Sequence, residues 1–296
     1  MSNTTRLMWI HALSPVHAGT GQSVGAVDLA IARDRATDHP YIPGSSIKGS
    51  LSDAAGPRVE GSWRKMAFGP NTPEAAEHAG QLAFGDAHLL LLPVRSIAGT
   101  FAWATSPLLL GRYARDAREA GVTPPALPAV EGLGTCLVTG ATALEVGRKV
   151  IFEDLDFQPD ADRKGADAWA EHIGARLFPG DTAWQDMLKQ RLCVVHDDVM
   201  TYLARHGTDV RMRVALESDS KTAKNGQLWT EETLPVESVL VALVAARPNG
   251  NSRNAAPKHD LFGELNKLVQ DRSIQLGGNA TVGQGRCQIR LDGGDQ

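Results

Sequence analysis

Short apolar runs bounded by glycine, proline or charged residues recur along the chain and predict β-strands. The clearest runs are residues 6–13, 89–94, 193–195, 239–246 and 287–291. Other intervals have apolar residues three or four positions apart, which predicts helices. These intervals are 109–120, 167–177, 182–192, 197–204 and 261–269. Because strands and helices are mixed without a steady β–α–β–α alternation, the pattern favours an α+β fold over a doubly wound sheet.

Two further extended stretches, joined by a polar segment, predict a long β-hairpin over residues 209–235. The Asn225-Gly226 pair between them is typical of a tight hairpin turn. Lys221 and Lys224 lie close to this pair, so the predicted hairpin has a basic tip.

Composition narrows the class of protein. The chain has 296 residues, of which 42% are hydrophobic and 22% charged, as in ordinary globular proteins. Its apolar runs are far shorter than the roughly 18 residues that span a membrane, and its first residues lack the pattern of a signal peptide. We therefore expect a cytoplasmic protein without a membrane segment. We predict one domain over residues 1–296, with a peripheral insertion over the polar, turn-rich residues 56–85.

Charge and cysteine content exclude little. The formal net charge of −4 argues weakly against a nucleic-acid-binding protein. It does not exclude one, because salt limits the reach of each charge to about 10 Å, so that an acidic protein can carry a basic groove. Cys136, Cys193 and Cys287 are far apart in sequence, so we expect buried free thiols and no zinc site.

Three loops rich in glycine or serine are the most distinctive local features. They are residues 17–25, 41–49 and 276–286. The spacing of Gly19, Gly21 and Gly25 is one residue too long for a dinucleotide-binding fingerprint, and neither of the other two loops has the Gly-Lys pair of a P-loop. A nucleotide site of either kind is therefore disfavoured.

Each of these loops has a lysine or arginine nearby. The cations are Arg33 or Arg35, Lys48 and Arg286. Main-chain amides together with a few cations bind a phosphodiester chain without reading its bases. In the second loop, Ser45 or Ser46 is expected to cap a helix whose first amides suit a phosphate. Taken singly, each loop is more simply interpreted as a tight turn.

The three loops, in this order, resemble those of the RAMP superfamily of CRISPR systems. Residues 41–49 are very close to the P-x-I-P-G-S-S-[LI]-K-G motif of that family, and residues 277–285 match its C-terminal glycine-rich loop. Parts of residues 86–107 resemble one branch, the repeated backbone subunit of the type III-B (Cmr) effector complex. Residues 228–235 also resemble that subunit, which tends to have tyrosine where Thr230 stands.

The resemblance covers essentially the whole chain and implies both a fold and partners. The implied fold is an RRM-like (ferredoxin-like) palm with helical insertions and a long β-hairpin thumb. The implied partners are crRNA, target RNA, other Cmr subunits and copies of the chain itself in a helical filament. Each thumb of such a filament kinks the guide–target duplex, and target RNA is cut at each kink.

The resemblance further implies that Asp28 is the catalytic residue of an RNA-guided endoribonuclease. A carboxylate there would hold Mg²⁺ or Mn²⁺, with RNA phosphates and water completing the shell, or would help to orient the water or hydroxyl. Without the resemblance, a turn cap or a pair with Arg33 or Arg35 is the simpler interpretation of Asp28. His17 is a candidate for holding RNA or transferring a proton, or is structural.

Further candidate residues lie on the hairpin and in the loops. Glu231 and Glu232, at the base of the hairpin, are candidates for a place near the scissile phosphate or are simply solvated. The expected RNA contacts are Ser45, Ser46, Lys48, Gly278, Asn279, Arg286, Lys221 and Lys224.

Three classes of function stay open from the sequence. The first is the endoribonuclease that is also the filament backbone, and the second is a purely structural crRNA-binding subunit without catalytic activity. The type III-A counterpart shares two of the loops but fits the middle of the chain less well. The third is a small-molecule enzyme that uses the glycine-rich loops for a nucleotide.

Overall fold

The computed structural model describes residues 5–19, 21, 27–57, 62–70, 79–217, 219, 223–247 and 260–293. Its strands are β1 (Thr5–Ala12), β2 (Tyr41–Ile42), β3 (Leu82–Phe84), β4 (Ala87–Arg95), β5 (Phe101–Thr105), β6 (Thr135–Val138), β7 (Glu145–Val146), β8 (Lys149–Phe152), β9 (Leu155–Pro159), β10 (Leu192–Val195), β11 (Asp209–Leu216), β12 (Ala223–Thr233), β13 (Val239–Ala246), β14 (Ser273–Gln275) and β15 (Arg286–Asp292). Its helices are α1 (Gly44–Ala54), α2 (Trp63–Phe68), α3 (Pro107–Glu119), α4 (Lys164–Leu177), α5 (Thr182–Arg191), α6 (Asp197–His206) and α7 (Leu261–Val269).

A large mixed sheet organises the fold. Over the described residues its strand order is β14-β15-β1-β13-β4-β5-β10-β6-β9-β8-β7, with β2 added to β4 and β3 added to β13. Most neighbours are antiparallel, whereas β10 runs parallel to β5 and β6 runs parallel to β9. The predicted mixture of strands and helices without β–α–β–α alternation is therefore confirmed.

Strand β1 lies in the sheet between β13 and β15 and is buried on both faces. Met8 and Ile10 point to a core packed against α1 and α7, whereas Leu7 and Trp9 point to a second core packed against α3 and α4. Two buried faces explain why this strand is a nearly continuous apolar run rather than an alternating one.

Helix α1 begins differently from the sequence prediction. Neither Ser45 nor Ser46 caps it, because Pro43 precedes the first turn and both serines lie within that turn. The first amide, that of Gly44, instead donates to the Asp86 carboxylate at 2.8 Å. The cap thus comes from a residue distant in sequence, which a search for local capping residues does not detect.

The predicted hairpin is present as the two-stranded β11–β12 pair, separate from the large sheet. The predicted turn at Asn225-Gly226 is wrong, because both residues lie inside β12 and Leu216 pairs with Ala223. Strand β12 begins before the Asn-Gly pair, so the connection between β11 and β12 lies earlier in the chain, in residues that are only partly described.

Residues 56–85 remain a predicted insertion, and the described part of this range contributes to the main core. Phe68 of α2 and Leu82 of β3 are both buried there, and β3 pairs with β13. The three cysteines are buried free thiols, as expected. Within the described ranges, the helices are too short or too polar to cross a bilayer.

Two glycines of α1 make a matched test of how this helix packs. A Cβ on Gly44 would lie 2.3 Å from the Phe84 carbonyl oxygen, whereas a Cβ on Gly49 would meet nothing within 4 Å. Gly44→Ala is expected to lower the free energy of unfolding by about 1–3 kcal/mol through overpacking. Gly49→Ala is expected to raise it by about 0.5–1 kcal/mol, since alanine favours a helix interior. Urea unfolding of the two variants measures both; equal effects would contradict this packing.

Candidate functional site

Asp28 is an exposed carboxylate held against the hairpin. Its Oδ2 accepts hydrogen bonds from the main-chain N–H of Thr230 at 2.8 Å and from the Thr230 hydroxyl at 2.9 Å. The main-chain N–H of Asp28 in turn donates to the same hydroxyl at 2.9 Å. The Thr230 amide, with the hydroxyl second, keeps the pKa of Asp28 below its usual value. The side chain is therefore an anion at neutral pH and faces solvent.

Two loop segments pair with the base of β12 and bring the predicted residues together. Leu29 bridges to Glu231 in a parallel sense, and Val16 bridges to Leu234 in an antiparallel sense. The two segments also pair with each other, since the Ala32 amide donates to the Ala18 carbonyl at 2.8 Å. This arrangement of three paired segments fixes the stretches that carry Asp28 and His17 on the base of β12 around Glu231 and Leu234. We call this end of the hairpin its root.

His17 is half-buried at the same root. Its Nδ1 lies 2.8 Å from the carbonyl oxygen of Glu232. A carbonyl only accepts, so Nδ1 carries the hydrogen and Nε2 of a neutral ring is an acceptor. The ring lies against Gly19, where a Cβ would be 2.6 Å from Nε2. The glycine therefore makes room for the imidazole, and His17 has one nitrogen committed to the hairpin.

Glu232 is buried in an ion pair with Arg33 at 2.5 Å. Its carboxylate also accepts from the Thr208 hydroxyl at 2.7 Å and from the Ile31 amide at 3.1 Å. Arg33 donates in addition to the carbonyl oxygen of Ala204, near the end of α6. The pair thus ties the loop that carries Asp28 to both roots of the hairpin. Arg33 pairs with Glu232 rather than with Asp28.

Glu231 is also buried, on the opposite face of β12. Its Oε1 accepts from the Asn279 side-chain amide at 2.6 Å, and its Oε2 lies 3.4 Å from Nε of Arg213. The same Asn279 nitrogen donates to Gln284 at 3.1 Å. Glu231 therefore links the hairpin to the C-terminal glycine-rich loop.

The C-terminal glycine-rich loop packs on the His17 segment. The Gly278 amide donates to the His17 carbonyl at 2.9 Å, and a Cβ on Gly277, whose φ is +78°, would lie 2.2 Å from that carbonyl oxygen. Gly277 is thus required by a close internal approach. Gly278 is exposed and Asn279 partly so, and Arg286 is exposed at the start of β15.

The remaining predicted RNA contacts lie on α1 and in the hairpin. Ser45 is exposed, and Ser46 and Lys48 are half-buried on α1. Lys221 lies outside the described residues, and Lys224 is described only as part of β12. The structure therefore brings Asp28, His17, Glu231, Glu232, Gly278 and Asn279 to one hairpin root and leaves Ser45, Ser46 and Lys48 on a separate helix.

Comparison with known proteins decides the family. A model of the RAMP superfamily matches residues 9–288. The chain belongs to the RAMP superfamily. A Pyrococcus furiosus relative named CRISPR system Cmr endoribonuclease Cmr4 is 32% identical, with 96% of this chain and 95% of the relative covered. The resemblance to the type III-B backbone subunit is therefore confirmed.

Further relatives agree with this placement in the RAMP superfamily. The CRISPR system CMR subunit Cmr4 of Saccharolobus solfataricus is 24% identical over 95% of this chain and 94% of its own. The crystal structure of oligomeric Cmr4 from P. furiosus has a TM-score of 0.75 at 26% identity, covering 100% of this chain and 99% of that one. A chain in the cryo-EM structure of the type III-B Cmr-beta complex bound to cognate target RNA has a TM-score of 0.73 at 18% identity, covering 97% and 96%, which shows similarity of fold alone.

Sequence reasoning missed several residues of this RAMP site. Local spacing does not reveal the roles of Thr230 and Asp86, because their contacts with Asp28 and Gly44 join residues distant in the chain. Gln284 accepts from Asn279, five positions away inside the glycine-rich loop, and the glycine pattern of that loop does not indicate this contact. From the sequence, Arg33 is a candidate only as a phosphate-binding cation or as a partner for Asp28. Ile31, two positions before Arg33, is apolar and buried. An apolar residue there indicates that this stretch packs against the protein, but it does not identify Glu232 as the partner of Arg33.

A metal ion at this RAMP site would rest on Asp28. Within the described residues, no three His, Cys, Asp or Glu side chains form a group that suits a metal. Both hydrogen bonds from Thr230 fall on Oδ2 of Asp28, so neither uses Oδ1. One hard, anionic oxygen donor fits Mg²⁺ or Mn²⁺ in the manner of sites that complete the shell with substrate phosphates and water.

The buried ion pair at the hairpin root gives a stability prediction. Glu232→Gln removes the charge that compensates Arg33, whose side chain is only 16% exposed, and is expected to lower the free energy of unfolding by about 3 kcal/mol or more. The matched control is Glu153→Gln, which breaks the exposed pair with Arg95 and is expected to change little. Urea unfolding of both variants checks this; equal losses would contradict the anchoring role of Glu232.

Proposed function

We propose that this chain is the repeated crRNA-binding backbone subunit of a type III-B CRISPR effector, and that it cleaves guide-paired target RNA at regular intervals in antiviral defence. The observation that carries the proposal is Asp28, an exposed carboxylate fixed on the root of a projecting hairpin. The relative at 32% identity is named an endoribonuclease, which supports the same activity here. The oligomeric state of one similar structure and the cognate target RNA in another support self-association and a target RNA partner.

The β11–β12 hairpin serves as the thumb in this proposal, and the large sheet with its helices as the RRM-like palm. One face of the hairpin is apolar and exposed, formed by Val210, Met212, Val214 and Leu228. Such a face suits contact with the faces of bases that leave a stack. Asp28 lies at the root of the same face, beside Thr230, and in this proposal the kinked strand passes over it.

The guide is held by contacts that do not read sequence. Lys48 and the hydroxyls of Ser45 and Ser46 lie on one helix, while Gly278, Asn279 and Arg286 lie on another part of the surface. Amides, hydroxyls and isolated cations position a phosphodiester backbone. Base pairing between guide and target then supplies the specificity. The basic residues Lys221 and Lys224 of the hairpin contact RNA of the same or a neighbouring subunit.

Cleavage follows from the placement of the acid beside a kinked ribose. A kink aligns the 2′-hydroxyl with its own phosphate. The 2′-hydroxyl gives up its proton to Nε2 of His17 or to water as the new 2′-O–P bond forms, the P–O5′ bond breaks, and the departing oxygen takes a proton from water. A 2′,3′-cyclic phosphate and a 5′-hydroxyl result. The ionised Asp28 holds or orients the attacking group at this point. Asp28 would hold Mg²⁺ or Mn²⁺ bound together with RNA, and such an ion would supply positive charge that stabilises the transition state.

His17 contributes through its free ring nitrogen. Because Nδ1 is fixed on the Glu232 carbonyl, Nε2 is the atom left to accept a proton or to contact a phosphate oxygen. Glu231 and Glu232 support the site without facing solvent, since both carboxylates are buried in pairs with other side chains. In this proposal they hold the site together near the scissile phosphate rather than touch it.

The acid is tested by Asp28→Asn in the assembled ribonucleoprotein. The amide keeps the size of the side chain and an oxygen acceptor for Thr230 but removes the charge. Single-turnover cleavage of target RNA is expected to fall about 10²-fold or more, while guide content and target affinity stay unchanged. The matched control is Asp156→Asn on β9, at the far end of the sheet. Cleavage at the normal rate and positions in the Asp28 variant would favour a purely structural subunit.

The guide contact is tested by Lys48→Ala. Removing one phosphate-binding cation is expected to weaken binding of single-stranded repeat-derived RNA and to reduce the salt-dependence slope by about 0.7. Lys48→Arg keeps the charge and is expected to restore most of the affinity. Lys267→Ala, which removes an exposed lysine paired with Glu264 on α7, is the control. An unchanged slope for Lys48→Ala would argue against this contact.

A further inference from the structure

We propose that Thr230 is a positioning residue for cleavage, which holds the Asp28 carboxylate in one orientation through its main-chain amide and its hydroxyl. The proposal rests on the proposed function of Asp28 and adds to it the group that orients the acid. It concerns the hairpin strand β12 rather than the loop on which Asp28 itself lies.

The contact between the two residues is a closed set of hydrogen bonds. The Thr230 amide and hydroxyl both donate to Oδ2 of Asp28, at 2.8 and 2.9 Å. The hydroxyl oxygen also accepts from the Asp28 amide at 2.9 Å. The Thr230 carbonyl accepts from the Leu29 amide at 3.0 Å. Each polar group of Thr230 is thus committed to residues 28–29.

Asp28 needs such a contact because little else restrains its side chain. It is exposed, and among the described residues neither Arg33, which is committed to Glu232, nor Arg35 forms an ion pair with it. A free carboxylate on an exposed loop samples several rotamers, and only one of them places an oxygen at a given phosphate. Two donors on the same oxygen select one rotamer and direct the bonded oxygen toward β12.

Thr230 is chemically distinct from the other residues of its face of the hairpin. Because residues paired across the strands share a face, its neighbours there are Val210, Met212, Val214, Leu228 and Glu232. The first four are exposed and apolar, and the last is committed to Arg33. The Thr230 hydroxyl is therefore the polar side-chain group of this face that reaches Asp28. Threonine is also β-branched, which restricts its χ1 angle and holds the hydroxyl in place.

One consequence is that the orientation of the Asp28 carboxylate depends on the position of strand β12. A shift of β12 relative to the loop would carry the Thr230 amide and hydroxyl with it, and the carboxylate bonded to them would turn as well. The orientation of Asp28 is thereby set by the element that carries the exposed apolar face, and not by the loop alone.

The test uses the assembled ribonucleoprotein with three variants. Thr230→Val keeps the shape and β-branching but removes the hydroxyl, and is expected to lower the single-turnover cleavage rate about 10- to 100-fold with unchanged target affinity. Thr230→Ser restores the hydroxyl and is expected to cleave within about threefold of the natural chain. The matched control is Thr233→Val on the same strand, whose buried hydroxyl has no hydrogen-bond partner among the described residues, and its rate is expected to be unchanged.

The outcomes separate this proposal from the proposed function. If Asp28→Asn stops cleavage but Thr230→Val cleaves normally, the positioning role is overturned while the catalytic role of Asp28 stands. If Thr230→Ser is as slow as Thr230→Val, packing rather than the hydroxyl matters, and the proposal also fails. If the Thr230→Val variant does not assemble, the Thr230→Ala variant is used in its place in the same assay. Failure of both to assemble, with serine assembling normally, would assign the hydroxyl to folding and overturn the positioning role.

Discussion

The buried ion pair between Arg33 and Glu232 is the interaction on which the arrangement of the site depends. It joins the loop after β1, the end of α6 and both roots of the hairpin, and it does so where water is largely excluded. A buried charge pair adds little net stability over a well-packed apolar contact, but separating its partners leaves an uncompensated buried charge and is therefore strongly disfavoured. Its value here is that the loop and the hairpin have a single relative position, so that an exposed acid can be placed on a projecting element.

Around this ion pair, main-chain contacts bring the segments together and side-chain contacts fix individual atoms. The glycines of the two loops permit close approach of main-chain segments, as with Gly277 on the His17 carbonyl and Gly19 beneath the imidazole. Polar side chains then fix individual atoms, as Glu231 does for Asn279. The result is a compact root from which the exposed apolar face of the hairpin projects toward solvent. In the proposed function, the rigid root aligns the chemistry and the projecting face separates the bases.

Much of the fold followed from local pattern, and the finer site geometry did not. The apolar runs at 239–246 and 261–269 coincide with β13 and α7, because continuous burial and helical spacing are properties of short segments. The resemblance of the loops identified the family and drew attention to Asp28 and His17. By contrast, the Asp86 carboxylate on Gly44 and the Thr230 hydroxyl on Asp28 join residues tens to hundreds of positions apart, and no local spacing reports such pairs. The predicted turn at Asn225-Gly226 is wrong because β12 begins before this pair, at Ala223, which pairs with Leu216. A dipeptide does not determine where strand pairing begins.

The position of β1 between β13 and β15 has a consequence for biosynthesis. Both hydrogen-bonding neighbours of this strand come from the last part of the chain, so a ribosome completes most of the polypeptide before β1 has a partner. Until then a strongly apolar strand has two open edges, which is a template for association with other chains. Products truncated before β13 therefore lack both partners of β1 as well as the glycine-rich loop that packs on His17. An incompletely translated chain thus exposes an apolar strand and lacks part of the hairpin root on which the proposed function depends.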